Sequence, residues 1–259
     1  MLSSVVAAVI SLILHELAHM ALVRAFGGEV SGFRFSFVGI VAWVRGVYKF
    51  KRWQRYAVYL AGPVSNALIA FGAWGVARLF YGPQGFMENI FLYNVVFCVF
   101  NLLPVFPLDG GRIAQLWLGN HMGVLRANRL LLWLGPVVGT VLMCIGLVQV
   151  VLYPWNITLV CAGYYIKQKN KQLPTQLYWE CIQALKAKQS LYTMQKFTSM
   201  DEKQLPTIRI TLPKSTTVAS AVGYLRWDYW VEIEIAPGCI ISEDVLLEMS
   251  HVIMDVPSQ

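Results

Sequence analysis

Apolar residues gather in five runs, separated by short polar or Gly/Pro-rich breaks. The first, residues 3–25, is long and apolar enough to span a bilayer, which takes about 20 residues. Gly27 and Gly28 end it. Residues 29–44 then alternate and are rich in aromatic and β-branched side chains, which predicts a short β-hairpin at the membrane surface. Tyr48 to Arg55 mixes aromatic and basic residues, as interface anchors do. The second run covers 56–80 and contains Gly62-Pro63, which predicts a kink or interruption, tolerable in lipid only where protein re-satisfies the backbone. A third run covers 88–106, and the less apolar stretch 112–128 reads as amphipathic or interfacial. The fourth run is 129–152. The fifth, 155–166, is short for a full span.

The expected fold is an all-α polytopic membrane domain, residues 1–166, of about five spanning segments with a membrane-surface β-hairpin. A linker with a helical segment follows at 167–204. A small α/β domain completes the chain at 205–259.

Composition agrees. Of 259 residues, 57% are hydrophobic and 14% charged, against about 25% charged in an average soluble domain. The net charge of +7 lies entirely within residues 1–166, where eleven Lys or Arg face four acids; the tail is neutral. This surplus reads as membrane topology rather than nucleic-acid binding, so no nucleic-acid partner is expected. The 27–56 loop carries six basic residues, the 107–128 loop carries Arg112 and Arg126, and the tail opens with Lys167, Lys169 and Lys171. The intervening loops carry none. The positive-inside rule therefore places the N-terminus outside and the C-terminal tail in the cytoplasm. The five cysteines show no C-x-x-C spacing, which excludes the usual cysteine zinc sites and gives no disulfide framework. The opening run lacks the basic head and small-residue cleavage site of a leader and is expected to be retained.

The chemistry is concentrated where it is most expensive. His15, Glu16 and His19 spell H-E-x-x-H inside the first apolar run. Positions i and i+4 share one helix face, so two imidazoles meet at one point, with a carboxylate beside them. Ionisable groups in hydrocarbon cost about 2.5–3.5 kcal/mol each on insertion scales and mark function. A catalytic zinc takes three protein ligands and keeps a position for water. The candidates for the third ligand are Asp109, Glu88 and His121. Asp109 has the right depth and sits in a Pro/Gly-shaped turn, Glu88 lies on the opposite side, and His121 belongs to a basic surface loop. His251 lies in the tail, away from the membrane. Glu16 is then the general base, and other divalent ions would also suit the ligand set. Asn66 and Asn101, polar in apolar surroundings, either donate to an oxyanion or substrate backbone or bond helix to helix.

These motifs carry a family resemblance. H-E-L-A-H in the first run, A-G-P-x-x-N in a later one, and N-x-x-P-x-x-P-x-D-G-G before an arginine resemble the site-2 proteases, intramembrane zinc metalloproteases. The resemblance implies one zinc held by His15, His19 and Asp109, Glu16 as base, and a substrate-proximal loop containing Asn101 and Pro107. The tail resembles a cystathionine-β-synthase (CBS) motif, with a strand from Pro206, a helix over 216–226, a strand over 229–235 and strand into helix over 240–249. That combination is closest to the sporulation branch of the family. Its members release a sigma factor from its pro-form at the mother-cell membrane around the forespore. The implied partners are a membrane-associated pro-sigma factor, membrane lipid and an inhibitory membrane protein. ATP at the CBS-like tail would require a second copy of the chain, since one motif is present and such motifs pair. The rival readings are a site-2 protease of envelope stress or signal-peptide clearance, and a metal transporter gated by the tail.

Overall fold

In the computed structural model, the described residues are 2–36, 39–45, 50–79, 84–152, 157–198, 206–213, 216, 221–226, 229–236 and 239–246. The chain divides into two compact units, Met1–Ile113 and Ala114–Gln259.

The first unit is built from α1 (Leu2–Ala25), the strands β1 (Glu29–Ser36) and β2 (Gly39–Arg45), α2 (Arg52–Leu79) and α3 (Gln84–Asn101). It also holds the opening residues of α4 (Asp109–Met122). Gly27 stops α1. At φ 78° it occupies the left-handed region, its N–H bonds to Arg24 O (3.0 Å), and Gly28 N–H bonds to Val23 O (2.9 Å). This pair of bonds is the Schellman motif, which glycine enters without a Cβ penalty. β1 and β2 then pair antiparallel, as the alternation predicted, and lie against α1; residues 37–38 are outside the described residues.

α1, α2 and α3 pack pairwise on one another. Their polarity is inverted relative to a soluble bundle. Leu68 and Phe71 of α2 are 67% and 72% exposed, whereas Ser11, His15, Asn66 and Asn94 are buried. That arrangement suits lipid, which wets apolar side chains and leaves polar ones to find partners inside. Asn94 Nδ2 donates to Ser11 Oγ (2.7 Å), which donates to Ala7 O (2.8 Å), tying α3 to α1.

α2 runs unbroken through Pro63, where the sequence predicted a kink or interruption. Among the described residues, three helices are long and apolar enough to cross a membrane: Ser4–Ala25, Arg52–Leu79 and Val124–Leu152, with the shorter Gly85–Asn101 as a further apolar helix. The expected fifth segment, 155–166, is not a separate element. Its described residues open α6 (Thr158–Thr198), which continues through Pro174 into polar sequence.

The second unit contains the rest of α4, α5 (Val124–Leu152), α6 and a sheet ordered β3 (Thr207–Thr211), β4 (Trp230–Ala236), β5 (Cys239–Ser242). α5 begins within the stretch that the sequence assigned to an interfacial segment. α5 and α6 cross closely at small residues: a Cβ on Gly139 would overlap Gly163 O, and one on Gly146 would overlap Val160 N. Small residues let backbones approach where no hydrophobic force drives association. β3 and β4 are parallel, β4 and β5 antiparallel, and a helical turn follows over 243–246. Within 216–226, where a helix was expected, only 221–222 are helical among the described residues. Val124, the first residue of α5, joins the core of this sheet with Val222, Leu225, Val231, Ile233 and Leu246.

Candidate metal centre

The site lies within the first unit and is assembled by three elements. α1 supplies His15 and His19, one turn apart on its inward face. The chain after α3 supplies Asp109. α2 closes the site from behind.

The turn that presents Asp109 depends on its two following glycines. A Cβ on Gly110 would overlap Leu102 O, and one on Gly111 would lie 2.5 Å from Val105 O. Leu108 N–H bonds to Val105 O and Gly111 N–H to Leu108 O, each at 3.0 Å. The Phe106–Pro107 peptide is cis, and Phe106 beneath it is fully buried, with the Arg112 guanidinium 5.5 Å from its ring centre. Asp-Gly-Gly therefore folds back on the Leu102–Phe106 backbone and turns its carboxylate towards α1.

His15 Nε2, His19 Nε2 and Asp109 Oδ2 form a triangle with every edge at 3.2 Å. A tetrahedral metal with bonds of about 2.0–2.1 Å keeps its ligands roughly 3.3 Å apart. The triangle is thus one face of a zinc-sized tetrahedron. His19 Nδ1 is 2.7 Å from Val58 O, which can only accept, so Nδ1 carries the proton and Nε2 offers its lone pair. Asp109 Oδ2 is buried with no hydrogen-bond partner. With the His15 proton on Nδ1 as well, three electron-rich atoms would converge, and a cation would satisfy all three.

The face of α2 opposite the two histidines is a ladder with a spacing of four. Val58 bonds His19 through its carbonyl, Gly62 abuts both rings, and Asn66 Nδ2 lies 3.0 Å from His15 Nδ1. A Cβ on Gly62 would overlap His19 Nε2 and come within 2.5 Å of His15 Nε2, intruding where the triangle needs space. Sequence reading found Asn66 but not Val58, and took Gly62 only for a helix breaker. The signal available was the i, i+4, i+8 spacing on a helix that must face another.

Glu16 follows His15 on α1 and is partly buried. Asn101 closes α3 and Pro107 lies in the loop beyond it, both partly buried. Glu88 is exposed in the opening turns of α3. His121 is exposed in the last turn of α4 rather than in a loop, with Nδ1 2.7 Å from Trp117 O. His251 lies outside the described residues. Among the described residues, His15, His19 and Asp109 are the cluster that could hold a metal, with ligand atoms all within 4.8 Å.

Apolar helices around a partly buried two-histidine, one-carboxylate cluster describe an integral membrane protein with a candidate metal centre. Comparison with known proteins shows what the chain is similar to: the model of Peptidase family M50 matches residues 77–146, a stretch that contains Asp109 and begins after the histidines. The resemblance to site-2 proteases is borne out by named relatives. Stage IV sporulation protein FB of Bacillus subtilis is 32% identical over 120 residues, 46% of this chain and 41% of that protein. A zinc metalloprotease of Methanocaldococcus jannaschii is 25% identical over 160 residues, 61% of this chain and 45% of that protein. The chain thus spans less than half the length of these two relatives. The solved structure of the site-2 protease from Methanocaldococcus jannaschii shares the fold, with a TM-score of 0.54 at 23% identity, covering 64% of this chain and 75% of that one.

Proposed function

We propose that the chain is a zinc metalloendopeptidase of the site-2 protease type, hydrolysing a peptide bond of a membrane-associated protein at the cytoplasmic side. The equilateral 3.2 Å triangle of His15 Nε2, His19 Nε2 and Asp109 Oδ2 carries this reading. A zinc ion bound there supplies Lewis acidity and a water acidic enough to react near neutral pH. His15, His19 and Asp109 hold it, and Val58 fixes the His19 ring. Glu16, beside His15, accepts the proton of the attacking water and returns it to the leaving amine, so proton transfer needs no second residue. Asn101 and Pro107 are assigned to the loop that meets the substrate strand.

The substrate reading is a pro-form of a sporulation sigma factor. It draws on the similarity to stage IV sporulation protein FB and would place the protein in the mother-cell membrane around the forespore. Residues 205–259 serve as a CBS-like cytoplasmic module for regulation or substrate docking, joined by 167–204 to the membrane domain 1–166. The β3–β4–β5 arrangement supports a small α/β fold there, and adenine nucleotide is the ligand class to try.

The test is a co-expression cleavage assay with a tagged, membrane-associated pro-sigma factor, beside Glu16→Gln. A shortened product with the native chain and none with Glu16→Gln is expected. Equal product in both lanes sinks the assignment of Glu16.

A further inference from the structure

Asn66 is fully buried in α2 with its side-chain amide on His15 Nδ1, and its other polar atom, Oδ1, has no hydrogen-bond partner. The two ends of that amide have opposite consequences for His15. An N–H donated to Nδ1 takes up the lone pair there and leaves the ring proton on Nε2, within the 3.2 Å triangle. An oxygen at the same place accepts a proton from Nδ1 and leaves the Nε2 lone pair facing Asp109 and His19. Only the second arrangement makes His15 a ligand. A half-turn about the terminal bond of Asn66 exchanges the two without moving any other group.

The remaining contacts show the same logic already in place for the other histidine. Val58 is four residues before Gly62, Asn66 four residues after, and Val58 O holds His19 Nδ1 at 2.7 Å. On one helix face, a main-chain carbonyl serves His19 and a side-chain amide serves His15. A carbonyl cannot be turned into a donor, whereas an amide can.

Building on the proposed metal centre, we propose that Asn66 is a positioning residue: its side-chain oxygen accepts the Nδ1 proton of His15 when metal binds, holding the tautomer in which Nε2 is the ligand. It acts through His15 and has no contact with substrate in this role. Metal-ligating imidazoles generally need such an acceptor, and losing one lowers metal affinity about 10–100-fold.

The experiment is zinc affinity by chelator competition on the full chain in detergent, comparing the native protein with Asn66→Asp and Asn66→Leu. Aspartate keeps an acceptor and loses the donor; leucine keeps the volume and loses both. The expected result is a loss of about 10–100-fold for Asn66→Leu, with Asn66→Asp within a few-fold of the native protein. Asn66→Asp binding as poorly as Asn66→Leu overturns the acceptor role. Native affinity in Asn66→Leu also overturns it and returns Asn66 to the substrate. If the native chain takes up no zinc, or keeps it after His15→Ala and His19→Ala, the metal centre itself falls. Should either Asn66 variant fail to fold, the cobalt(II)-loaded native chain still decides. Two metal-shifted exchangeable ring N–H resonances, one per histidine, are expected, and a single one overturns the proposal.

Discussion

Gly62 of α2 lies so close to the imidazole of His19 on α1 that a single added carbon would overlap Nε2 of the ring. The space in front of the two histidines exists because this residue has no side chain. Gly62→Ala is expected to lower zinc affinity by more than about 10-fold, since the ring must swing away from its partners. A methyl group on Gly72, on the same helix, would meet nothing within 4 Å, so Gly72→Ala is the matched control. It should bind zinc normally and, if anything, stabilise the helix by about 0.5–1 kcal/mol. Zinc stoichiometry after gel filtration reads both.

Glu16 and Asp109 should separate metal binding from chemistry. Glu16→Gln is expected to keep its zinc and lose about 10²–10⁴-fold in cleavage rate, the usual contribution of a positioned acid–base group. Asp109→Asn should lose zinc and activity together, because a neutral amide leaves the two imidazoles without their anionic partner. A chelator should silence the native enzyme and added zinc restore it. A Glu16→Gln protein that cuts at the native rate would assign the proton transfer elsewhere.

The Asn94–Ser11 bond ties α3 to α1 one turn before His15. Asn94→Ala removes it from a buried position. Bonds of this type between membrane helices average about 0.6 kcal/mol and reach roughly 1.7, so a modest loss of stability is expected in a detergent unfolding titration. Zinc per folded chain should not change.

Gly123 separates α4 from α5 at φ 94°, and a Cβ there would overlap the carbonyl of Gly223. Beside it, Val124 N–H bonds to Leu225 O (2.9 Å) and the Arg126 guanidinium lies 3.8 Å from the centre of the Tyr224 ring. Gly123→Ala incurs the left-handed cost of about 1–2 kcal/mol and meets that overlap as well. The β3–β5 region should become susceptible to limited proteolysis, while the unsubstituted chain resists.

The hairpin was legible because alternation has a period that nothing else imitates, and α1 because its apolar run ends in two glycines. The candidate ligands His15, His19 and Asp109 could be read from spacing and depth, and the structure brings them together. The start of α5 was not legible: Arg126, Asn128 and Arg129 lower its hydropathy, although none of them breaks a helix. The 155–166 run looked too short because its helix continues into polar residues, where apolar counting stops but backbone hydrogen bonding does not. Pro63 misled for a related reason, since a proline inside a membrane helix need not end it. The role of Val58 was invisible because it contributes a carbonyl, which every residue has.

The way the chain leaves α3 has a bearing on how water would reach the proposed centre. The 17 residues Gly85–Asn101 extend about 26 Å at 1.5 Å each, against about 30 Å of hydrocarbon. The segment that follows, Leu102 to Leu108, leaves helical geometry before the chain reaches Asp109. Asp109 at its end keeps 19% of its side chain accessible, and His19 13%. In the proposed centre these exposed edges are where water, the reactant that lipid excludes, reaches the metal ligands.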